Sequence, residues 1–173
     1  MRRAAASLTM TAKEVAVMWE CQVSVDIEVP VEWVYRRLLD FERHGDFSEG
    51  LAEVRQTTPG PIGVGSRFRA EERVPGRYTS WSEITRLDEP RLIAWRAWVE
   101  GVMRTEWELR LSPIDGGTRL VEVSRWQPAG WVGFLMLNLH RKRHAPRENG
   151  RTLSRIKAVL EGERSARTRE VPA

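Results

Sequence analysis

Residues 19–41, WECQVSVDIEVPVEWVYRRLLDF, change their period half-way, and that change points to the architecture. Up to Val29 the apolar positions are Trp19, Cys21, Val23, Val25, Ile27 and Val29, with Glu20, Gln22, Ser24, Asp26 and Glu28 between them. Strict alternation with this β-branched content describes a strand buried on one face and wet on the other. Cys21 lies on the apolar stripe and reads as a small core residue, not a nucleophile. Pro30 opens a helix, where its missing N–H costs nothing. Val31, Val34, Tyr35, Leu38 and Phe41 then recur at helical spacing, opposite Glu32, Arg36, Arg37 and Asp40. This helix is expected to end near His44-Gly45, with a short second turn over Phe47–Leu51.

Outward from this stretch, residues 54–126 carry only strand and turn signals. Phe68, Ala70 and Val74 alternate with Arg67, Arg69, Glu71 and Arg73. Further strands follow over Tyr78–Leu87, over Ile93, Trp95, Ala97 and Val99, and over Thr105, Trp107, Leu109 and Leu111. Asp115-Gly116-Gly117 marks a hairpin. As a three-residue loop it pairs Leu111 with Val121 and Leu109 with Val123, and it puts Trp107 beside Arg125 on the inner face. A two-residue turn would reverse the parity, and the match of apolar with apolar favours the longer loop. In the last third Val132, Leu135, Met136, Leu139, Leu153, Ile156 and Leu160 fall roughly on one helical stripe. Pro146 and Asn149-Gly150 are expected to kink or split that helix.

The whole chain is 173 residues with a net charge of +4. Its length and lack of repeats or linkers suit a single domain over 18–162, flanked by a loose arm (1–17) and tail (163–173). One cysteine excludes a disulfide framework and a multi-cysteine zinc site. No apolar run spans a bilayer, and Lys13 and Glu14 break up what would be a signal peptide, so a cytoplasmic protein is expected. The positive charge concentrates in residues 141–169. Tryptophan is unusually frequent, at eight residues against four Phe and two Tyr.

An antiparallel sheet with one apolar face must bury it, and the C-terminal helix is the only element long enough to cover it. The fold class is therefore α+β: a curved antiparallel sheet wrapped around a long C-terminal helix, with short helices after the first strand. Several segments in this order strengthen the reading. They are Val29–Tyr35, Gly63–Phe68, Glu89–Arg96, the run from Leu111 through Asp115-Gly116-Gly117 to Leu120, and Leu153–Glu161. Together they resemble the START-like helix-grip superfamily (SRPBCC), and within it the polyketide cyclase/dehydrase-type proteins. The resemblance implies a cavity between sheet and helix for an apolar small molecule, a lipid or polyketide-like compound, with no metal or organic cofactor. It implies chemistry in only some members, so the residues must decide between carriage and catalysis.

The expected cavity wall is Phe47, Phe68, Ala70, Trp95, Trp107, Leu109, Val123, Leu135 and Leu139. Trp95 and Trp107 face each other if Glu100-Gly101-Val102 is a three-residue loop. Their indoles suit a planar or acyl ligand, though core packing places tryptophans in the same way. Glu72, Arg125 and His44 are the candidates for catalysis. Arg125 would bind a carboxylate or enolate and Glu72 move protons, or the two would form a structural ion pair. His44 sits near the expected mouth as an acid or base, or as a solvated loop residue. With these in place, a cyclase or dehydratase is the alternative to a binding protein. His140 and His144 have a metal-ligand spacing, but Arg141-Lys142-Arg143 between them repels a cation, so no metal is expected. Gly60, Gly63 and Gly65 lack phosphate-loop spacing, and no nucleophile-elbow pattern is present. The basic helix offers a third reading, a module for a partner or an anionic surface, against a solvated outer face. Nucleic acid is not favoured, and a monomer or homodimer is expected.

Overall fold

In the computed structural model, which describes residues 19–73 and 76–170, seven strands form one antiparallel sheet. Strand β1 (Trp19–Ile27) keeps the alternation of its sequence, with Cys21 and Ile27 buried and Glu20, Gln22, Ser24 and Asp26 exposed. Pro30 stands in extended geometry just ahead of α1 (Val31–Leu39). The helix stops at Leu39, earlier than its apolar spacing implied. Phe41–Asp46 form a 3₁₀ turn that buries Phe41, which takes the place of the second turn expected at 47–51. Then come β2 (Leu51–Gln56), β3 (Arg67–Glu72), β4 (Tyr78–Asp88), β5 (Leu92–Val99), β6 (Met103–Ile114) and β7 (Gly117–Pro128). The spatial order is β1-β7-β6-β5-β4-β3-β2, so the α1 connection carries the chain from one sheet edge to the other. The expected strand residue Val74 and the arm 1–17 lie outside the described residues.

The β6–β7 hairpin corrects the expected register. Ile114 pairs with Gly117, so Asp115 and Gly116 alone make the turn, with Gly116 at φ 75°. Gly117 is needed on other grounds, because a Cβ there would collide with the Ile27 carbonyl. Leu111 therefore faces Leu120, Leu109 faces Glu122, and Trp107 faces Ser124. One residue less in the turn moves every later side chain of β7 to the other face. Leu120, Glu122, Ser124 and Trp126 point to the concave side, and Val123 and Arg125 to the convex side.

From Gly130 the chain is helical through Glu170: α2 (Gly130–Met136), a π-helical turn (Leu137–Arg141) and α3 (Lys142–Glu170). Pro146 and Asn149-Gly150 lie inside α3 and do not split it. Helix α3 also continues through most of the expected tail, held there by Arg37 Nε on Glu163 at 3.2 Å and by Arg167 over the Trp33 ring. Leu153, Ile156 and Leu160 are buried as their spacing implied, but before them the stripe differs, with Val132, Leu135 and Leu139 exposed. Gly133, Leu137, Ala145, Asn149 and Leu153 face the sheet at every fourth position, with half-buried Arg141 among them. Such spacing drifts by about 40° per step around an α-helix, and the wider π-turn takes up that drift.

The interior divides into two apolar clusters. The larger joins α1, the 3₁₀ turn and the C-terminal half of α3 to the sheet, with Trp95 at its margin. The smaller consists of Met103, Trp126 and Leu137, with Trp107 at its margin. The convex face is a lattice of exposed ion pairs. Glu83 lies between Arg67 (2.8 Å) and Arg96 (2.7 Å), and Glu108 lies near Arg86, Arg110 and Arg125. Such pairs keep a sheet face wet but add little stability each. Among the described residues, no helix is long and apolar enough to cross a membrane.

Candidate functional site

The candidate site is on the concave face where the two clusters meet. The β5–β6 loop has the expected three residues, and Trp95 pairs with Trp107 across the sheet. Their indoles are nearly parallel, 5.9 Å apart at 9°. Trp126 meets Trp107 edge-on at 5.3 Å, and Phe41 meets Trp95 edge-on at 5.3 Å while stacking on Phe68 at 4.6 Å. Next to this aromatic row the register aligns Phe68, Ser82, Ala97, Thr105 and Trp126 across five strands. Three small residues thus lie between a phenyl and an indole. Ser82 and Ala97, and Ser80 nearby, face inward yet are only half-buried. Small inward residues beside large rings, still partly open to solvent, make this stretch of the concave face a candidate trough.

One end of the trough is polar. Glu72 faces Tyr78 across β3–β4 and accepts a hydrogen bond from Ser80 Oγ at 2.9 Å. Burial raises the Glu72 carboxyl above the ordinary range, opposed by the Ser80 hydrogen bond and the Arg141 charge. The Tyr78 hydroxyl is likewise pushed up, first by burial and then by the Glu72 charge. Arg141 lies over the Trp126 ring at 4.8 Å and pairs with Glu148 at 3.0 Å. The π-turn is what turns Arg141 inward, whereas the sequence placed it on a solvated basic face.

A second polar group sits deeper and was missed by the sequence reading. Glu122 is 5% exposed on β7, with its Oε1 unpaired. Burial pushes its carboxyl up to about 8, against a lowering hydrogen bond from Asn149. Asn149 Nδ2 and Trp126 Nε1 both donate to Ser124 Oγ at 3.1 Å, and buried Cys21 pairs with Ser124 on β1. At neutral pH Glu122 is a buried neutral acid. The two-residue turn was the signal that would have found it.

The other expected residues fall as follows. His44 is half-buried, stacks on Phe41 at 4.5 Å and lies 6.2 Å from Trp95. Its Nε2 donates to the Leu38 carbonyl at 2.7 Å, which leaves the lone pair on Nδ1, and burial lowers its pKa. It lies half-buried in the aromatic row and is not a solvated loop residue. Arg125 leaves the site, since its Nε bonds Glu20 at 2.8 Å on the convex face. Val123 is on that face too. Phe47, Phe68, Ala70 and Leu109 are buried in the larger cluster, where Phe68 and Ala70 border the trough. Leu135 and Leu139 lie on the exposed side of the helix, because the inward stripe runs through Leu137 and Arg141 instead.

The family model described as polyketide cyclase / dehydrase and lipid transport matches residues 18–161. The chain belongs to that family. No curated protein matches it. Among solved structures, the Zhui aromatase/cyclase from Streptomyces sp. R1128 superposes with a TM-score of 0.67 at 20% identity, covering 84% of this chain and 94% of that one. Ara h 8.0201 gives 0.67 at 11% identity, over 83% and 98% of the two chains. TTHA0849 from Thermus thermophilus gives 0.66 at 17% identity, over 83% and 98%. At these identities the likeness is one of fold: a helix-grip α+β domain of the polyketide cyclase / dehydrase and lipid transport family.

Proposed function

We propose that this family member binds a flat, largely apolar small molecule in the trough between sheet and C-terminal helix, with a polar group of the ligand at the Glu72–Arg141 end. The observation that carries this is the parallel Trp95–Trp107 pair beside half-buried Ser82 and Ala97. Indole faces favour planar partners, and small neighbours provide the room. Arg141 offers charge-assisted hydrogen bonds to a carboxylate or enolate oxygen. In a test with a fused-ring aromatic carboxylic acid, the ligand should quench tryptophan fluorescence and raise the melting temperature. The Trp95→Ala and Trp107→Ala variants should each weaken binding about tenfold or more, as expected for loss of an aromatic contact worth about 1.4 kcal/mol. Absence of both responses across fused-ring acids and fatty acids would sink the reading.

A second reading, a cyclase or dehydratase, is favoured by one observation: Glu72 and Tyr78 are cross-strand partners, and the Arg141 charge acts on both. In an aldol closure, a base takes an α-proton and the enolate carbon attacks a carbonyl, whose oxygen then accepts a proton. Dehydration removes a second α-proton and expels that hydroxyl as water with a proton from an acid. Glu72 suits the proton transfers and Arg141 the enolate charge. Turnover of a poly-β-ketone thioester mimic should then fall about 100-fold or more in Glu72→Gln. Unchanged turnover in that variant would remove Glu72 from the chemistry.

A further inference from the structure

The face of α2 that turns away from the sheet is apolar. Trp131 is 74% exposed, Phe134 52% and Leu139 68%, with Val132 and Leu135 beside them. Exposed aromatic and aliphatic side chains gathered on one short stretch mark a contact surface. This stretch is also firmly placed. Gly133 packs so close to the β5–β6 loop that a Cβ would collide with the Val102 carbonyl, and Ala129 N donates to that same carbonyl at 2.8 Å. Helix α2 is thus pinned with its apolar side outward.

The charge next to it decides what it meets. No carboxylate occurs from Gly130 to Arg147, while Lys142, Arg143 and Arg147 follow directly on the same helical run, all exposed. Glu148, the first acid beyond, is paired with Arg141. Exposed Arg73 and Arg77 border the β3–β4 turn, whose flanking residues Glu72 and Tyr78 feel the Arg141 charge. An apolar wedge headed by Trp and Phe, followed by cations with no carboxylate in its own helical run, fits an anionic lipid surface; Glu100 in the loop beneath accepts a hydrogen bond from Trp98 Nε1 at 2.9 Å. Rings enter the headgroup boundary and the cations meet the phosphates. A protein partner of ordinary mixed surface would not require this single sign of charge along the helical run.

We propose that α2 and the start of α3 dock this protein on anionic membranes, with Trp131 and Phe134 inserted and Lys142, Arg143 and Arg147 on the phosphates. The docking face shares a helical run with Arg141, which lies on its inward side over Trp126. The interaction does not depend on what the trough binds.

The test is co-sedimentation of the full chain with vesicles of phosphatidylglycerol and phosphatidylcholine, against phosphatidylcholine alone. Binding is expected to the anionic vesicles only, and to weaken as salt rises. Trp131→Ser/Phe134→Ser and, separately, Lys142→Glu/Arg143→Glu should each lower the partition at least tenfold with an unchanged circular dichroism spectrum. All four side chains are exposed, so these variants keep the core intact. Three results overturn the proposal: no binding to anionic vesicles, equal binding by both variants, or a dimer in solution that the Trp131→Ser/Phe134→Ser variant dissociates, which would assign the face to a second copy. Failure to bind vesicles leaves the ligand-induced fluorescence response untouched, so the two readings fall separately.

Discussion

Asn149 reaches from α3 to Ser124 on β7, Nδ2 to Oγ at 3.1 Å, and hydrogen-bonds the neighbouring Glu122 carboxyl from the same place. The long C-terminal helix is thus fastened to the sheet through a buried amide, not through an apolar contact at that level. The Glu122 carboxyl, held at about 8 against an ordinary value of 4.5, makes this fastening sensitive to pH. The folded state keeps its proton where the unfolded chain gives it up. Stability is full below the unfolded value and falls as pH rises from about 4.5 to about 8, by about 1.4 kcal/mol per unit from this group. Chemical denaturation across that range should show the decline, and Glu122→Gln should flatten it. An unchanged slope in the variant would mean that the carboxyl ionises normally.

Gly133 sets how close α2 lies to the β5–β6 loop. Gly133→Ala should force the helix outward and lower stability by about 1–3 kcal/mol, despite the better helix propensity of alanine. A melting temperature equal to or above that of the parent would refute the close approach.

Arg37 is 7% exposed and joins Asp46 at 2.6 Å to Glu163 at 3.2 Å, with its guanidinium over Phe47 at 4.8 Å. It ties α1, the 3₁₀ turn and the end of α3 together. Removing this cation leaves Asp46 and Glu163 to the more exposed Arg43, 3.0 and 3.8 Å away. Arg37→Met should cost about 2–4 kcal/mol, less than a fully buried pair because Asp46 is partly in water. Truncation after residue 162 removes only one of the two acids and should cost less. Urea melts of both variants give the comparison, and the opposite order would refute this account.

Trp126 donates to Ser124 from its edge and receives Arg141 on its face. Trp126→Phe keeps a ring for the cation but loses the donor, so it should cost about 1 kcal/mol. Trp126→Leu loses both and should cost more. Equal losses in the two variants would show that neither polar contact matters.

Where the periods were clean, the fold was legible. The alternation of β1, the Trp95–Trp107 pairing and the helix over the sheet all followed from spacing, because side-chain direction in a strand is fixed by residue count. The errors share a physical origin. At the β6–β7 turn, Gly117 belongs to the strand, because the adjacent Ile27 carbonyl leaves no room for a side chain. Matching apolar residues could not reveal this, because the true register sets Leu109 against Glu122. In the C-terminal helix the inward residues include Gly133, Arg141, Ala145 and Asn149, which no hydrophobic stripe would select. Glu72 was correctly placed on the inner face. His44 was read as more exposed than it is, because the 3₁₀ turn that folds it onto Phe41 has no distinct sequence signature.

The π-turn at Leu137–Arg141 makes chain length between Gly133 and Asn149 as decisive as residue identity. Inserting one further residue there would rotate everything downstream by about 100° relative to α2, whereas removing one lets the π-turn revert to plain α-helix with the downstream faces kept. With the insertion Asn149 would swing away from Ser124, although every side chain would still be present. Such a change behaves like a frameshift in three dimensions. In this short span, an apparently conservative one-residue insertion is more dangerous than a charge placed on the surface.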